Sequence, residues 1–151
     1  MHQAVSRTTP EQLLLSGDYF PGSAPRVLLA EADDDARILL KNSLNKCGYS
    51  VIECTHGVEL MIQLGTLASA GDSEKVDLII SDIRIPGLKG MEIFEQVRKE
   101  GGYPPVILIS SSRGRAHRYQ ARRAGAFPIF GDPSGVDRLL MEVMKTVPPE
   151  S

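Results

Sequence analysis

From Arg26 to Val147 the chain alternates short apolar runs with longer segments at helical period, and this alternation constrains the fold more than any other feature. Val27–Ala30, Tyr49–Cys54, Leu78–Asp82, Val106–Ser110 and the short Ile129-Phe130 pair read as strands. Between them, Ile38, Leu39, Leu44 and Cys47 give a helical stripe that stops at Gly48, where a helix C-terminus favours glycine. Further helices are expected over Val58–Ala70, from Met91 to Glu100, across the arginine-rich Gly114–Ala124, and over Val136–Val147. Strands that are nearly continuous apolar runs, each followed by a helix, predict an α/β domain. Its parallel five-stranded sheet would be covered on both faces, a doubly wound (βα)5 unit. Right-handed crossovers leave the order 2-1-3-4-5 as the natural solution, with strands one and three adjacent and the ligand crevice beyond their carboxyl ends. Glu31 and Asp82 meet there.

Residues 1–25 stand apart as an N-terminal extension. Thr9-Pro10-Glu11-Gln12 fits a capping box with proline at the first helical position, so a short helix through Leu13, Leu14 and Leu15 is expected, docked on the domain or on a partner. Pro21-Gly22 and Pro25 mark a linker into the main domain at 26–147, and residues 148–151 form a tail. A formal charge of −2 argues against a generally basic nucleic-acid binder. Cys47 and Cys54 are too few for a disulfide framework and read as packing residues, which suits a reducing, cytoplasmic setting. No signal peptide or membrane span is expected from the hydropathy pattern.

The stretch Leu78–Gly90, L-I-I-S-D-I-R-I-P-G-L-K-G, carries the chemistry. An apolar strand runs straight into Asp82, and a Pro86-Gly87 turn signal follows. A carboxylate at the end of a buried strand is costly unless it is hydrogen-bonded, paired or bound to a cation, so Asp82 is either the lip of a site or a structural cap.

Glu31 with its acidic neighbours after strand one, Asp82 followed by I-R-I-P-G-L-K-G, Ser110 ending strand four, and Ala124-Gly125-Ala126 followed by Pro133 together resemble the receiver domain of bacterial two-component response regulators. The resemblance spans about Arg26 to Val147 and implies the flavodoxin-like strand order 2-1-3-4-5. It implies phosphoryl transfer from a phosphohistidine to Asp82, with catalysis by positioning and charge neutralisation. It also implies Mg²⁺ held by Glu31, Asp82 and the backbone carbonyl of Arg84, with Ser110 as the hydroxyl switch and Ser111, Arg84 and Asp132 around the phosphoryl group. Three positions depart from the family pattern. Ala32 stands where a second acid is usual, which weakens the cation site. Asp132 replaces the lysine that precedes the proline after strand five, an anion for a cation. Ile129 replaces the switch aromatic. An adjacent Arg84 side chain would have the reach to pair with Asp82 or to shield a phosphoryl group.

Arg113, Arg115, Arg118, Arg122 and Arg123 place five positive charges and no acid in eleven residues. With Ile129, they lie on the face of helix four, strand five and helix five, which in the family often carries the output contact. The expected partner is therefore a protein, with a histidine kinase or phosphotransfer protein upstream, a homodimer as a further option, no membrane, and nucleic acid disfavoured. The leading expectation is a non-enzymatic, atypical receiver whose phosphorylation at Asp82 is weak, altered or absent. The alternative is a working phosphoacceptor using Asp82 and Mg²⁺. An aspartate-nucleophile phosphatase is disfavoured because Arg84 occupies the second acidic place of its D-x-D arrangement.

Overall fold

The computed structural model describes residues 24–60, 62–63, 75–86 and 104–149. Five strands form one sheet: β1 (Arg26–Ala30), β2 (Ser50–Cys54), β3 (Leu78–Asp82), β4 (Val106–Ser110) and β5 (Phe127–Pro128). Every pairing is parallel and the order is β2-β1-β3-β4-β5, as the alternation predicts. Three helices have defined bounds: α1 (Asp34–Lys46), the arginine-rich α2 (Arg115–Arg123) and the last helix α3 (Gly135–Thr146). Residues 57–60 begin the helix expected from Val58. The helix expected from Met91 to Glu100 and the one through Leu13–Leu15 lie outside the described residues.

The strands alternate between two cores, as their period of two requires. Val27, Leu29, Leu78, Ile80, Ile107 and Ile109 face α1 and α3, packing with Leu40, Leu44, Leu139 and Val143. Leu28, Ala30 and Ile79 face the other side with Cys54, Leu60 and Ile85. Ala121 of α2 covers Leu108 and Ala126 beside them. Cys47 packs against the first core, and Cys54 is buried in the second with its thiol pushed up to about 12 by desolvation, consistent with packing residues.

Two local expectations shift. The apolar stripe of α1 is Ala36, Leu40 and Leu44, at intervals of four, while Ile38 and Leu39 remain 52% and 39% exposed. Of the expected stripe, Leu44 is buried and Cys47 packs on the first core, while Ala36 and Leu40 take the places expected of Ile38 and Leu39. The fifth strand is Phe127–Pro128 rather than Ile129-Phe130, pairing with Ile109 and Ser110. Pro128 lacks an amide hydrogen yet is tolerated on this edge strand, and the Ile129 amide still donates to the Ser110 carbonyl at 2.9 Å.

Candidate functional site: a buried acidic pair at the carboxyl ends of the strands

Strands β1, β3 and β4 end side by side and deliver Glu31, Asp82 and Ser110–Ser111 to one crevice. Glu31 follows β1 directly, its amide donating to the Cys54 carbonyl at 2.9 Å, and Asp82 closes β3. Both carboxylates are buried. Both oxygens of Asp82 are hydrogen-bonded: Oδ1 accepts the Arg84 amide at 2.8 Å, and Oδ2 accepts the Ser111 amide at 3.3 Å and the Ser111 hydroxyl at 2.8 Å. Glu31 Oε2 accepts the Asp33 amide at 3.0 Å and lies 3.2 Å from the same Ser111 hydroxyl.

One hydroxyl proton thus faces two carboxylates. Burial, reinforced by the hydrogen bond and charge of Asp82, pushes the Glu31 carboxyl up to about 8. Glu31 Oε1 is buried with no hydrogen-bond partner among the described residues. An orphaned carboxylate oxygen beside a second buried carboxylate is a site short of positive charge, and the set fits a divalent cation. Glu31 and Asp82 would contribute carboxylates and Arg84 a carbonyl. Mg²⁺ ordinarily keeps several waters, so so few protein ligands suffice. Ala32 is exposed and adds nothing. Asp33 does not compensate, because its Oδ1 caps the Ala36 amide of α1 at 2.9 Å and its Oδ2 pairs with Arg113 at 3.1 Å.

The remaining residues that the sequence singled out distribute as follows. Ser110 is buried with its hydroxyl accepting the Ser112 amide at 3.3 Å, so the hydroxyl touching Asp82 is that of Ser111. The Arg84 side chain is exposed and reaches Gln120 of α2 at 3.5 Å instead of Asp82. Asp132 pairs with Arg122 at 3.2 Å and with Arg138, and its Oδ1 accepts the Ser134 amide and hydroxyl, each at 3.0 Å. Its negative charge is therefore matched locally by α2 and α3. Ile129 is buried in the first core and offers no exposed ring to switch.

The arginine run is less uniform than its sequence suggests. Arg118 donates to the Arg113 carbonyl at 2.6 Å and Arg122 is taken by Asp132, whereas Arg115 and Arg123 form no ion pair among the described residues. Arg123 lies 5.9 Å from the centre of the exposed Tyr119 ring. Arg113 belongs to the crevice as much as to the face, since it bridges Asp33 and Asp35 and stacks 4.0 Å over Phe130. An arginine run with no acid in it gives no hint of that contact; the available signal was the acidic triplet at 33–35, whose nearest following cation, Arg37, pairs with Asp34 and leaves Asp33 and Asp35 to other partners.

The amide of Ala36 and the Arg113 guanidinium hold Asp33 below the usual carboxylate range, and the Ser134 amide and hydroxyl, then Arg138 and Arg122, do the same for Asp132. Both groups favour the folded state in their ionised form. Their contribution is complete above the unfolded-chain value and is lost as pH falls through the lowered folded value. Asp33→Asn and Asp132→Asn are each expected to flatten the acid limb of a urea-melt series run between about pH 2 and pH 5. A limb as steep as the parent's would show that these contacts are not maintained.

The parallel sheet in the order β2-β1-β3-β4-β5 with helices on its faces is the receiver-type fold, and the paired acids lie at its switch point. The profile described as "Response regulator receiver domain" matches residues 27–144, and the chain belongs to that family. Such domains are in general signalling modules rather than enzymes and work with histidine kinases and output domains. Among full-length relatives, the C4-dicarboxylate transport transcriptional regulatory protein DctD of Rhizobium meliloti is 26% identical over 123 residues, covering 82% of this chain and 25% of DctD. Response regulator MprA of Mycobacterium avium is 28% identical over 115 residues, 76% of this chain and 47% of MprA. The chain therefore spans about a quarter to a half of these relatives. The receiver domain of Francisella response regulator 1452 superposes with a TM-score of 0.60 at 22% identity, covering 81% and 95% of the two chains. Response regulator TrrA of Thermotoga maritima, in complex with Mg²⁺ and BeF, gives 0.58 at 24% identity over 82% and 99%. Among the described residues, no helix is long and apolar enough to cross a membrane.

Proposed function

We propose that this chain is a cytoplasmic receiver module of two-component signalling that takes up a phosphoryl group at Asp82 slowly, through an altered site, and signals by protein contact. The observation that carries this reading is the buried Glu31–Asp82 pair with its orphaned Oε1, an arrangement with the charge deficit of a cation-assisted phosphoryl site but only two of the usual carboxylates. Mg²⁺, the ion bound with BeF by the Thermotoga relative, would neutralise the transferring group when held by Glu31, Asp82 and the Arg84 carbonyl. Asp82 Oδ2 is the acceptor on this reading, with the Ser111 hydroxyl and amide already aimed at it. Uptake is slow for two reasons: no acid stands at 32, and no lysine at 132.

The output face comprises α2, β5 and α3. Arg115 and Arg123 are exposed on it, and the shallow cleft lined by Arg122, Phe127, Pro128 and Arg138 opens between the two helices. Positive charge there suits an acidic protein surface, on an output partner or a second copy of the chain. Incubation with Mg²⁺ and acetyl phosphate should give slow, partial addition of one phosphoryl group by intact mass, absent from Asp82→Asn. No addition to the parent over hours would leave a phosphorylation-independent interaction module in its place.

A further inference from the structure

Asp132 cannot supply the cation of a phosphoryl site, yet the loop after β4 carries one across it. Because β3 lies between β1 and β4, an ion pair from the β4 loop to the β1 loop joins the strands on either side of β3, which ends in Asp82. Arg113 makes that pair. Its guanidinium contacts Asp33 at 3.1 Å and Asp35 at 3.6 Å on the β1 side, and it is stacked from the β5 side by the Phe130 ring at 4.0 Å. Arg118 reinforces the strap. It donates to the Arg113 carbonyl and lies flat over Gly131, whose missing Cβ would fall 2.7 Å from the Arg118 guanidinium. Glycine, with its positive φ of 79°, is what leaves room for it.

We propose that Arg113 is the phosphoryl-facing cation of this receiver, supplied from the loop after β4 in place of a lysine after β5. The proposal rests on the reading of Asp82 as acceptor. In the resting protein Asp33 and Asp35 hold the guanidinium across the mouth of the crevice, half-exposed and able to turn. In the transfer, an Asp82 carboxylate oxygen forms a bond to phosphorus as the bond from phosphorus to the donor oxygen breaks. With acetyl phosphate as donor, the leaving group is acetate, which takes the electron pair of the broken P–O bond, and no proton or electron is exchanged with Arg113. The guanidinium exchanges carboxylate oxygens for phosphoryl oxygens, both of which it binds through the same planar fork. Phosphorylation would thereby release the β1 loop that Arg113 holds, with no aromatic switch needed at Ile129.

The test uses the full chain and two probes: covalent labelling by acetyl phosphate with Mg²⁺, and beryllofluoride binding with Mg²⁺ followed by fluorine NMR. Arg113→Ala should slow labelling at least tenfold and weaken beryllofluoride binding comparably. Mg²⁺ affinity should be unchanged or tighter, since a neighbouring cation has been removed. Arg113→Lys should recover part of the loss, and Lys46→Ala, which removes an exposed cation from the last turn of α1, should match the parent. Asp33→Asn with Asp35→Asn, which frees the guanidinium, should speed labelling. A purely structural role would lower Mg²⁺ affinity together with labelling and would not be rescued by lysine. Equal labelling of the parent and Arg113→Ala would overturn the role of Arg113 while leaving Asp82 as acceptor. A parent that takes up neither probe would overturn both.

Discussion

Ala32→Asp is expected to tighten Mg²⁺ binding about tenfold or more and to accelerate labelling of Asp82 accordingly. A carboxylate about 5 Å from a bound cation contributes about 3 kcal/mol per unit charge pair at an effective dielectric constant near 20. Position 32 is exposed, and solvent and salt screening reduce this to about 1–2 kcal/mol per unit charge. Tenfold in affinity is about 1.4 kcal/mol, so even the screened, divalent interaction reaches it. The loop is ready for the addition: the Glu31 amide is tied to Cys54 and the Asp33 amide to the Glu31 carboxylate, so residue 32 is fixed between two anchored neighbours. Asp132→Lys alone should add less. Its carboxylate is already compensated by Arg122 and Arg138, so the substitution removes little repulsion and sets a third cation beside two unpaired ones. Calorimetric titration of Mg²⁺ into the three proteins separates the effects. An unchanged affinity for Ala32→Asp would show that the missing acid is not what limits the site.

The parts of this molecule legible in its sequence are those determined within a few residues. β3 was readable to its ends because Leu78–Ile80 is an unbroken apolar run that a buried parallel strand needs, and β4 for the same reason. The meeting of Glu31 and Asp82 followed from strand order alone. What could not be read is decided by partners far away in the chain. Asp33, Asp34 and Asp35 form one acidic run, yet Asp33 caps α1 and pairs with Arg113, Asp34 pairs with Arg37, and Asp35 stands 3.6 Å from Arg113. Ser110 and Ser111 differ by one residue, and at the end of a strand that difference decides which hydroxyl faces the neighbouring strand's carboxylate. In sequence Asp132 is a bare anion where the family pattern has a lysine, yet Arg138, only six residues on, and Arg122 both pair with it. The charge reversal against the family pattern is real in sequence and largely cancelled in space.

The support beneath that cancellation is a single close approach. Gly135 opens α3, its amide donating to the Asp132 carbonyl at 2.9 Å, and a Cβ there would lie 2.1 Å from the Pro128 carbonyl oxygen of β5. Both contacts are backbone, so nothing yields by a rotamer change: the helix or the edge strand must move. Gly135→Ala is therefore expected to destabilise the domain by about 2–4 kcal/mol, at the upper end for overpacking of a closed interface. That is a large part of the roughly 5–15 kcal/mol that holds an ordinary domain folded, and should lower Tm by on the order of 10 °C. Gly125→Ala is the internal control. Its φ of 82° strains any side chain, but nothing lies within 4 Å of its would-be Cβ, so only the backbone cost of about 1–2 kcal/mol applies. Because α3 carries Arg138 and its first turn is tied to Asp132, moving α3 also loosens the pairs that neutralise Asp132. In the surviving folded fraction of Gly135→Ala, labelling of Asp82 should fall further than in Gly125→Ala. A Gly135→Ala protein that melts above Gly125→Ala would mean that α3 is not wedged against β5, and that the arginine pairs around Asp132 have a different support.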